Sequence, residues 1–313
     1  MGFLGPKCGC VFLLVFFSAV CLAASTDKDA ILTASALART GKPKQAETLL
    51  RSAVAEHPES ASLRGALGKL LFTEHNYADA VQELNLAEQL DPDSREYNML
   101  LGAALLGAKR YGLARNFLLA VQTRFQQYPE FHYSLGLAYY NLADIAKSKE
   151  ELEEAIRLNP KLDQAQFMLA TCVASEGNFS KAAEILRGLV KDHPRNAIYW
   201  TILGDTLRQM GEETRAEALH ACRTALALEP GNPHAQFVMA VILLDSGDLA
   251  GARTLLERLE RLSPKQIQAH VMLGRVYARL GKPDLARKEA EMVNQLQADQ
   301  TSEKPAISSE GRN

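Results

Sequence analysis

The chain has 313 residues and a formal net charge of −2, from 35 basic and 37 acidic side chains. That balance excludes an electrostatic grip on a nucleic-acid backbone, which needs a basic excess. Apolar residues make up 47% but aromatics only 7%, and Ala and Leu dominate. This composition favours helices over strands.

The first stretch differs from the rest. Residues 2–24 carry one charge, Lys7, followed by an apolar run from Cys10 to Ala24. Such a run is short for a membrane span, which needs roughly 20 residues, and fits the core of a secretory signal cleaved near Ala23 and Ala24. The alternatives are an uncleaved N-terminal anchor and a lipoprotein modified at Cys21, although Val20 suits a lipobox poorly. The expected location is therefore secreted or periplasmic, or membrane-anchored through this segment alone. Three of the five cysteines lie in it. The other two, Cys172 and Cys222, form neither a disulfide framework nor a zinc pattern. Both are expected to be buried inert thiols, with a mutual disulfide as the lesser reading.

Beyond residue 24 one phrase recurs: AVAEHP, AEQLDP, AIRLNP, LVKDHP, ALALEP and LERLSP, ending at Pro58, Pro92, Pro160, Pro194, Pro230 and Pro264. The steps between these prolines are 34, 68, 34, 36 and 34 residues. A fixed period of this size is the signature of a repeat architecture. With the proline at position 32, eight units begin at Asp27, Ala61, Arg95, Pro129, Asp163, Ala197, Pro233 and Ile267. Positions not used to set the register agree with it. Position 8 is Ala34, Gly68, Gly102, Gly136, Ala170, Gly204, Ala240 and Gly274. Position 20 is Ala46, Ala80, Ala114, Ser148, Ala182, Ala216, Ala252 and Ala286. Position 7 is Leu or Met in every unit but the first, which has Thr33.

These columns predict a helix pair per unit. Large apolar residues at 7 and 11 mark the first helix, and those at 24 and 27–28 mark the second. Small residues at 8 and 20 allow close approach. A turn, often with Gly at position 15, separates the two helices, and proline ends the second because it disfavours helical geometry in the residue before it. One pair cannot bury its own apolar stripe, so the pairs must stack.

The pattern resembles the tetratricopeptide repeat family over about residues 27–300. Trp200, Leu203, Gly204, Ala216 and Pro230 stand at signature positions, and YSLGLAY (133–139) with Pro160 and HVMLGRVYARLGKPDLA (270–286) are similarly close. The resemblance implies an all-α fold, a right-handed α-solenoid of stacked antiparallel helix pairs. Departures from it carry expectations of their own. The sixth unit has two extra residues around Glu212–Ala218. The third has Gln126 in place of its proline and the last has Ala298. The first is expected to act as a cap, and 301–313 as a disordered tail.

No catalytic, cofactor or metal site is read. GAALLGAK (102–109) lacks the spacing and ending of a phosphate loop. The histidines, His132 and His270 at position 4 among them, are expected at helix ends or interfaces. The acidic run Glu150, Glu151, Glu153 and Glu154 is expected on a solvated face. Asn178 opens one glycosylation sequon on a turn.

In the family resembled, positions 2, 5, 9 and 12 of the first helices line a concave groove. Carried over, these are Met99, Leu106, Tyr133, Leu137, Tyr140 and Phe167, then Thr201, Asp205, Arg208, Phe237, Val241 and Leu244, then Arg275. The expected function is a non-enzymatic scaffold holding a peptide or protein segment in that groove, with self-association open. The alternatives are an envelope assembly factor, in polysaccharide export or outer-membrane biogenesis, and the recruiting arm of an enzyme complex. A carboxylate clamp of the chaperone-binding kind is not expected, since position 9 holds no Asn and position 5 no basic residue.

Overall fold

A computed structural model describes residues 27–302. The expected leader (1–24) and the tail from 303 onward lie outside the described residues. Within them the chain is helical and forms no strand. The helices are α1 (27–39), α2 (Pro43–Glu56), α3 (Ala61–Thr73), α4 (Tyr77–Leu90), α5 (Arg95–Gly107), α6 (Tyr111–Phe125), α7 (Pro129–Asn141) and α8 (Ile145–Leu158). They continue with α9 (Asp163–Ser175), α10 (Phe179–Asp192), α11 (Ala197–Met210), α12 (Arg215–Leu228), α13 (Pro233–Asp245), α14 (Leu249–Leu262), α15 (Ile267–Arg279) and α16 (Pro283–Ser302). Eight pairs follow one another, as the period requires. They fall into two compact units, dividing between Ala165 and Gln166. In each, a helix packs on its neighbours in the chain, and first helices also pack on first helices: α3 on α5 and α5 on α7, or α11 on α13 and α13 on α15. The class is the α-solenoid of stacked helix pairs.

The small columns work by proximity. A β-carbon added at Gly68 would stand 2.6 Å from Leu84 Cγ, at Gly136 2.9 Å from Leu152 Cγ, and at Gly204 2.7 Å from Cys222 Sγ. Each partner is the position-24 residue of the same unit. The core is thus built from buried Leu at 7 and from position-24 side chains seated against the glycine backbone, each buried Leu being worth about 1.5–3 kcal/mol.

The sixth unit corrects one assignment. Its insertion forms a 3-10 turn, Glu212–Thr214, which delays α12 by two residues. Ala216 is therefore exposed, and Ala218, fully buried, fills the small column.

The prolines end helices as expected. The residues before them, His57, Asp91, Asn159, His193, Glu229 and Ser263, cap with φ from −124° to −142°. Gln126 instead stays near helical geometry at φ −61°. Where Ala298 replaces proline, α16 runs on for 20 residues, through Ser302 and past the boundary expected at 300. Position 15 has positive φ in all eight units: Gly41, Gly177, Gly211, Gly247 and Gly281, but also His75, Lys109 and Ala143. Thr33 is exposed and bonds the Asp29 carbonyl.

One column escaped the sequence reading. Position 4 holds an N–H donor in every unit after the first: Arg64, Asn98, His132, Gln166, Trp200, Gln236 and His270. Donation to the position-32 carbonyl of the preceding unit recurs down this column, as six of these residues illustrate. Arg64 Nε reaches Pro58 O at 2.7 Å, Asn98 Nδ2 reaches Pro92 O at 2.9 Å, and His132 Nε2 reaches Gln126 O at 2.7 Å. Trp200 Nε1 reaches Pro194 O at 2.9 Å, Gln236 Nε2 reaches Pro230 O at 2.8 Å, and His270 Nε2 reaches Pro264 O at 2.9 Å. The helix-terminal carbonyl has no helical partner, so this bond ties each repeat to the next.

Candidate binding surface

The first helices of the N-terminal unit carry an open apolar cleft of about 550 Å³. Met99, Leu100 and Ala103 of α5 and Tyr133 of α7 form its apolar lining, with Ser134 beside them. Positions 5, 6 and 9 of successive repeats supply this floor because first helices stack side by side. Charges rim it: Lys69 Nζ bridges from α3 to Glu96 at 2.6 Å, Arg95 lies over the Tyr128 ring at 4.6 Å, and Glu130 stands opposite. The Tyr133 hydroxyl is held above the usual phenol range by burial, and then by the charge of Asp163. It is therefore a neutral donor at physiological pH. A second cleft of about 230 Å³, with Ile31, Ala34, Ala38 and Leu70 on its walls, lies nearer the N-terminus between α1, α2 and α3.

Of the thirteen expected groove residues, the structure brings Met99 and Tyr133 into the larger cleft. Leu106, Leu137 and Tyr140 are half-buried on α5 and α7, and Leu106 packs on the core. In the C-terminal unit the expectation needs correcting. Thr201, Val241 and Leu244 are only 2%, 7% and 0% exposed. Thr201 bonds the Ala197 carbonyl, and Leu244 sits in the core with Ala240 and Leu273. Phe167 stacks on Tyr199 with centroids 5.3 Å apart, so it joins two repeats. Asp205 accepts from Arg208 at 2.9 Å and faces His234 at 3.8 Å. Burial alone would raise its carboxyl, but the hydrogen bonds from His234 and Arg208, with the Arg208 charge, outweigh burial and hold it below the usual range. Phe237 is half-buried against Leu244's cluster, and Arg275 is exposed with its guanidinium on Met272 Sδ.

Other expectations fall out as follows. Cys172 and Cys222 are buried thiols that form no disulfide with each other, and burial pushes the Cys222 thiol up to about 12. Glu150 and Glu153 are exposed, Glu154 pairs with Arg157, and Glu151 turns inward to His132. Asn178 is exposed and caps α10. No described helix is long and apolar enough to cross a membrane.

The tetratricopeptide repeat profiles match residues 37–104, 133–197, 173–219, 209–270 and 243–303. The chain belongs to the tetratricopeptide repeat family. It is 23% identical to anaphase-promoting complex subunit 3 of Schizosaccharomyces pombe, over 85% of this chain and 35% of that protein. It is 23% identical to the peroxisomal targeting signal receptor of Kluyveromyces lactis, over 66% of this chain and 36% of the receptor. A third relative, cellulose synthase operon protein C of Pseudomonas fluorescens, is 31% identical over 52% of this chain and 13% of its own. This tetratricopeptide repeat chain thus spans about a third or less of these relatives' length. Among solved structures, a tetratricopeptide repeat protein from Parabacteroides merdae superposes with a TM-score of 0.64 at 16% identity, covering 80% of this chain and 99% of that one. A chain of the APC/C hetero-tetramer Cut9–Hcn1 gives 0.58 at 17% identity, covering 86% and 54%. These likenesses carry the fold.

Proposed function

We propose that this chain is a non-enzymatic scaffold that holds a short segment of a protein partner in the cleft between Met99 and Tyr133. The supporting observation is an apolar floor with an aromatic hydroxyl, rimmed by charges of both signs. A cleft of this volume suits one or two apolar anchor side chains, and an aromatic and a Met beside Arg are residue types enriched at binding hot spots. Preformed helices spare the scaffold most of the ordering cost. The relatives are named as a subunit of a complex and as a receptor for a targeting signal, which is in keeping with a partner that is itself a polypeptide.

The test is capture from the native source with wild type and the Met99→Ser/Tyr133→Ala variant in parallel. A protein retained by wild type should be lost with the variant, about thirtyfold for a 2 kcal/mol anchor. Equal retention by a variant of unchanged helicity sinks the cleft as the site. A second reading, an exported envelope assembly factor, is favoured by the apolar stretch 10–24 and the likeness to cellulose synthase operon protein C. Fractionation separates it: a mature protein confined to the cytosol rules it out.

A further inference from the structure

His132 and His270 occupy the same repeat position and donate through Nε2 to the same kind of carbonyl. Each also meets a glutamate nineteen residues on: His132 Nδ1 is 2.6 Å from Glu151 Oε2, and His270 Nδ1 is 2.7 Å from Glu289 Oε2. Their surroundings differ in where the second carboxylate stands: Glu154 acts on His132 only from a distance. Glu260, at position 28 on α14, brings an oxygen to His270, and one atom from each of Glu260, His270 and Glu289 lies within 4.8 Å of the others. The corresponding position before His132 is Gln122.

A carbonyl oxygen can only accept, so the His270 Nε2 hydrogen is committed to Pro264 and the ring is fixed with Nδ1 facing the two carboxylates. His270 is 2% exposed. Among the described residues no hydrogen bond or cation partner at Glu260 comes within ion-pair distance. A proton on Nδ1 offsets Glu289 and leaves Glu260 uncompensated. A divalent ion offsets both.

We propose that Glu260, His270 and Glu289 form a site for a divalent transition-metal ion of the zinc type. The ligands are His270 Nδ1 and one oxygen from each carboxylate. One imidazole and two carboxylates are a donor set such ions favour, with a fourth position left to water. The Pro264 carbonyl on the far ring nitrogen is the outer support that metal-binding histidines use to fix their tautomer. Ligand bonds of about 2.0–2.2 Å need the ligand atoms roughly 3.4 Å apart, so binding requires a rotamer adjustment of the two glutamates. The ion would pin α14, α15 and α16 together.

The test uses the full, untagged chain stripped with chelator. Zn(II) uptake is followed by calorimetry, Co(II) uptake by visible absorption. Wild type should bind one equivalent, with the strong d–d bands of four-coordinate cobalt, and a raised melting midpoint. Glu260→Gln retains the His270–Glu289 contact, so its fold can be verified by circular dichroism, and it should bind at least about tenfold more weakly. Glu151→Gln, at the site lacking a third ligand, should bind as wild type does. Uptake by wild type no tighter than by Glu260→Gln overturns the site and leaves a proton as the occupant of His270.

Discussion

Glu151 Oε2 lies 2.6 Å from His132 Nδ1, while Nε2 of the same ring donates to the Gln126 carbonyl at 2.7 Å. An ionised carboxylate and a carbonyl both accept, so both contacts are hydrogen bonds only while the ring is protonated. Burial disfavours that charge, but Glu151, the Gln126 carbonyl and, more distantly, Glu154 outweigh it and raise the imidazole above its ordinary 6.5. A group with a raised folded pKa contributes stability in full below 6.5 and loses it as pH climbs through the folded value. The natural substitute is Gln, since Gln236 makes the same carbonyl bond without a charge. His132→Gln should therefore melt below wild type near pH 6, by the worth of a charged hydrogen bond, about 1.5–3 kcal/mol. The gap should shrink steadily in alkaline buffer. A gap independent of pH removes the imidazolium.

Three of the eight turn positions put a side chain where φ is positive. Ala143, at φ 61°, gains nothing from its methyl there. A non-glycine residue in this conformation costs roughly 1–2 kcal/mol. Ala143→Gly should raise the urea midpoint by about 1 kcal/mol equivalent, and Gly177→Ala, at φ 81°, should lower it by a similar amount. His75 is a poorer test because its Nδ1 is 2.7 Å from the Tyr77 hydroxyl.

The fold was legible because a repeat writes the same physics eight times. Leu67, Leu101 and Leu135 each fill the same slot, and Gly68, Gly102 and Gly136 each clear the same approach, so noise averages out. The donor column at position 4 was equally visible and was missed because Arg, Asn, His, Gln and Trp share no hydropathy. They share only an N–H. The groove was less legible because the family pattern gives a direction for each position but not the size of its neighbours. Leu244 and Val241 point where Phe237 and Arg275 do by register, yet they are covered by packing within the C-terminal unit. Asp205 and Arg208 meet each other because i and i+3 are neighbours on a helix.

Glycines at helix-interior positions separate cleanly by what stands opposite. Gly136 faces Leu152 Cγ at 2.9 Å and the Ser148 carbonyl at 3.3 Å from an added β-carbon, whereas Gly188, on the exposed face of α10, has nothing within 4 Å. Alanine is the better helix former by about 1 kcal/mol. Gly188→Ala should thus stabilise by 0.5–1 kcal/mol, roughly, and Gly136→Ala should destabilise by about 1–3 kcal/mol because α7 and α8 must part. Chemical unfolding of both variants checks the pair. Stabilisation by both would mean the small column is not set by contact.

Arg64 joins the position-4 bond to an ion pair: Nε donates to the Pro58 carbonyl at 2.7 Å and a terminal nitrogen meets Glu83 Oε2 at 2.9 Å, both side chains being less than a fifth exposed. Removing one partner of a covered pair leaves the other charge desolvated without offset, which costs more than the pair is worth. Arg64→Met should therefore destabilise by about 2–3 kcal/mol. Arg64→Met/Glu83→Met should recover most of that loss, since neither charge is left. Arg64→Gln should fall between, because an amide keeps the carbonyl bond that Gln236 makes in its own repeat. A double variant as unstable as the sum of its single changes would show that Arg64 and Glu83 act independently, with repeat-to-repeat stability resting on the carbonyl bond alone.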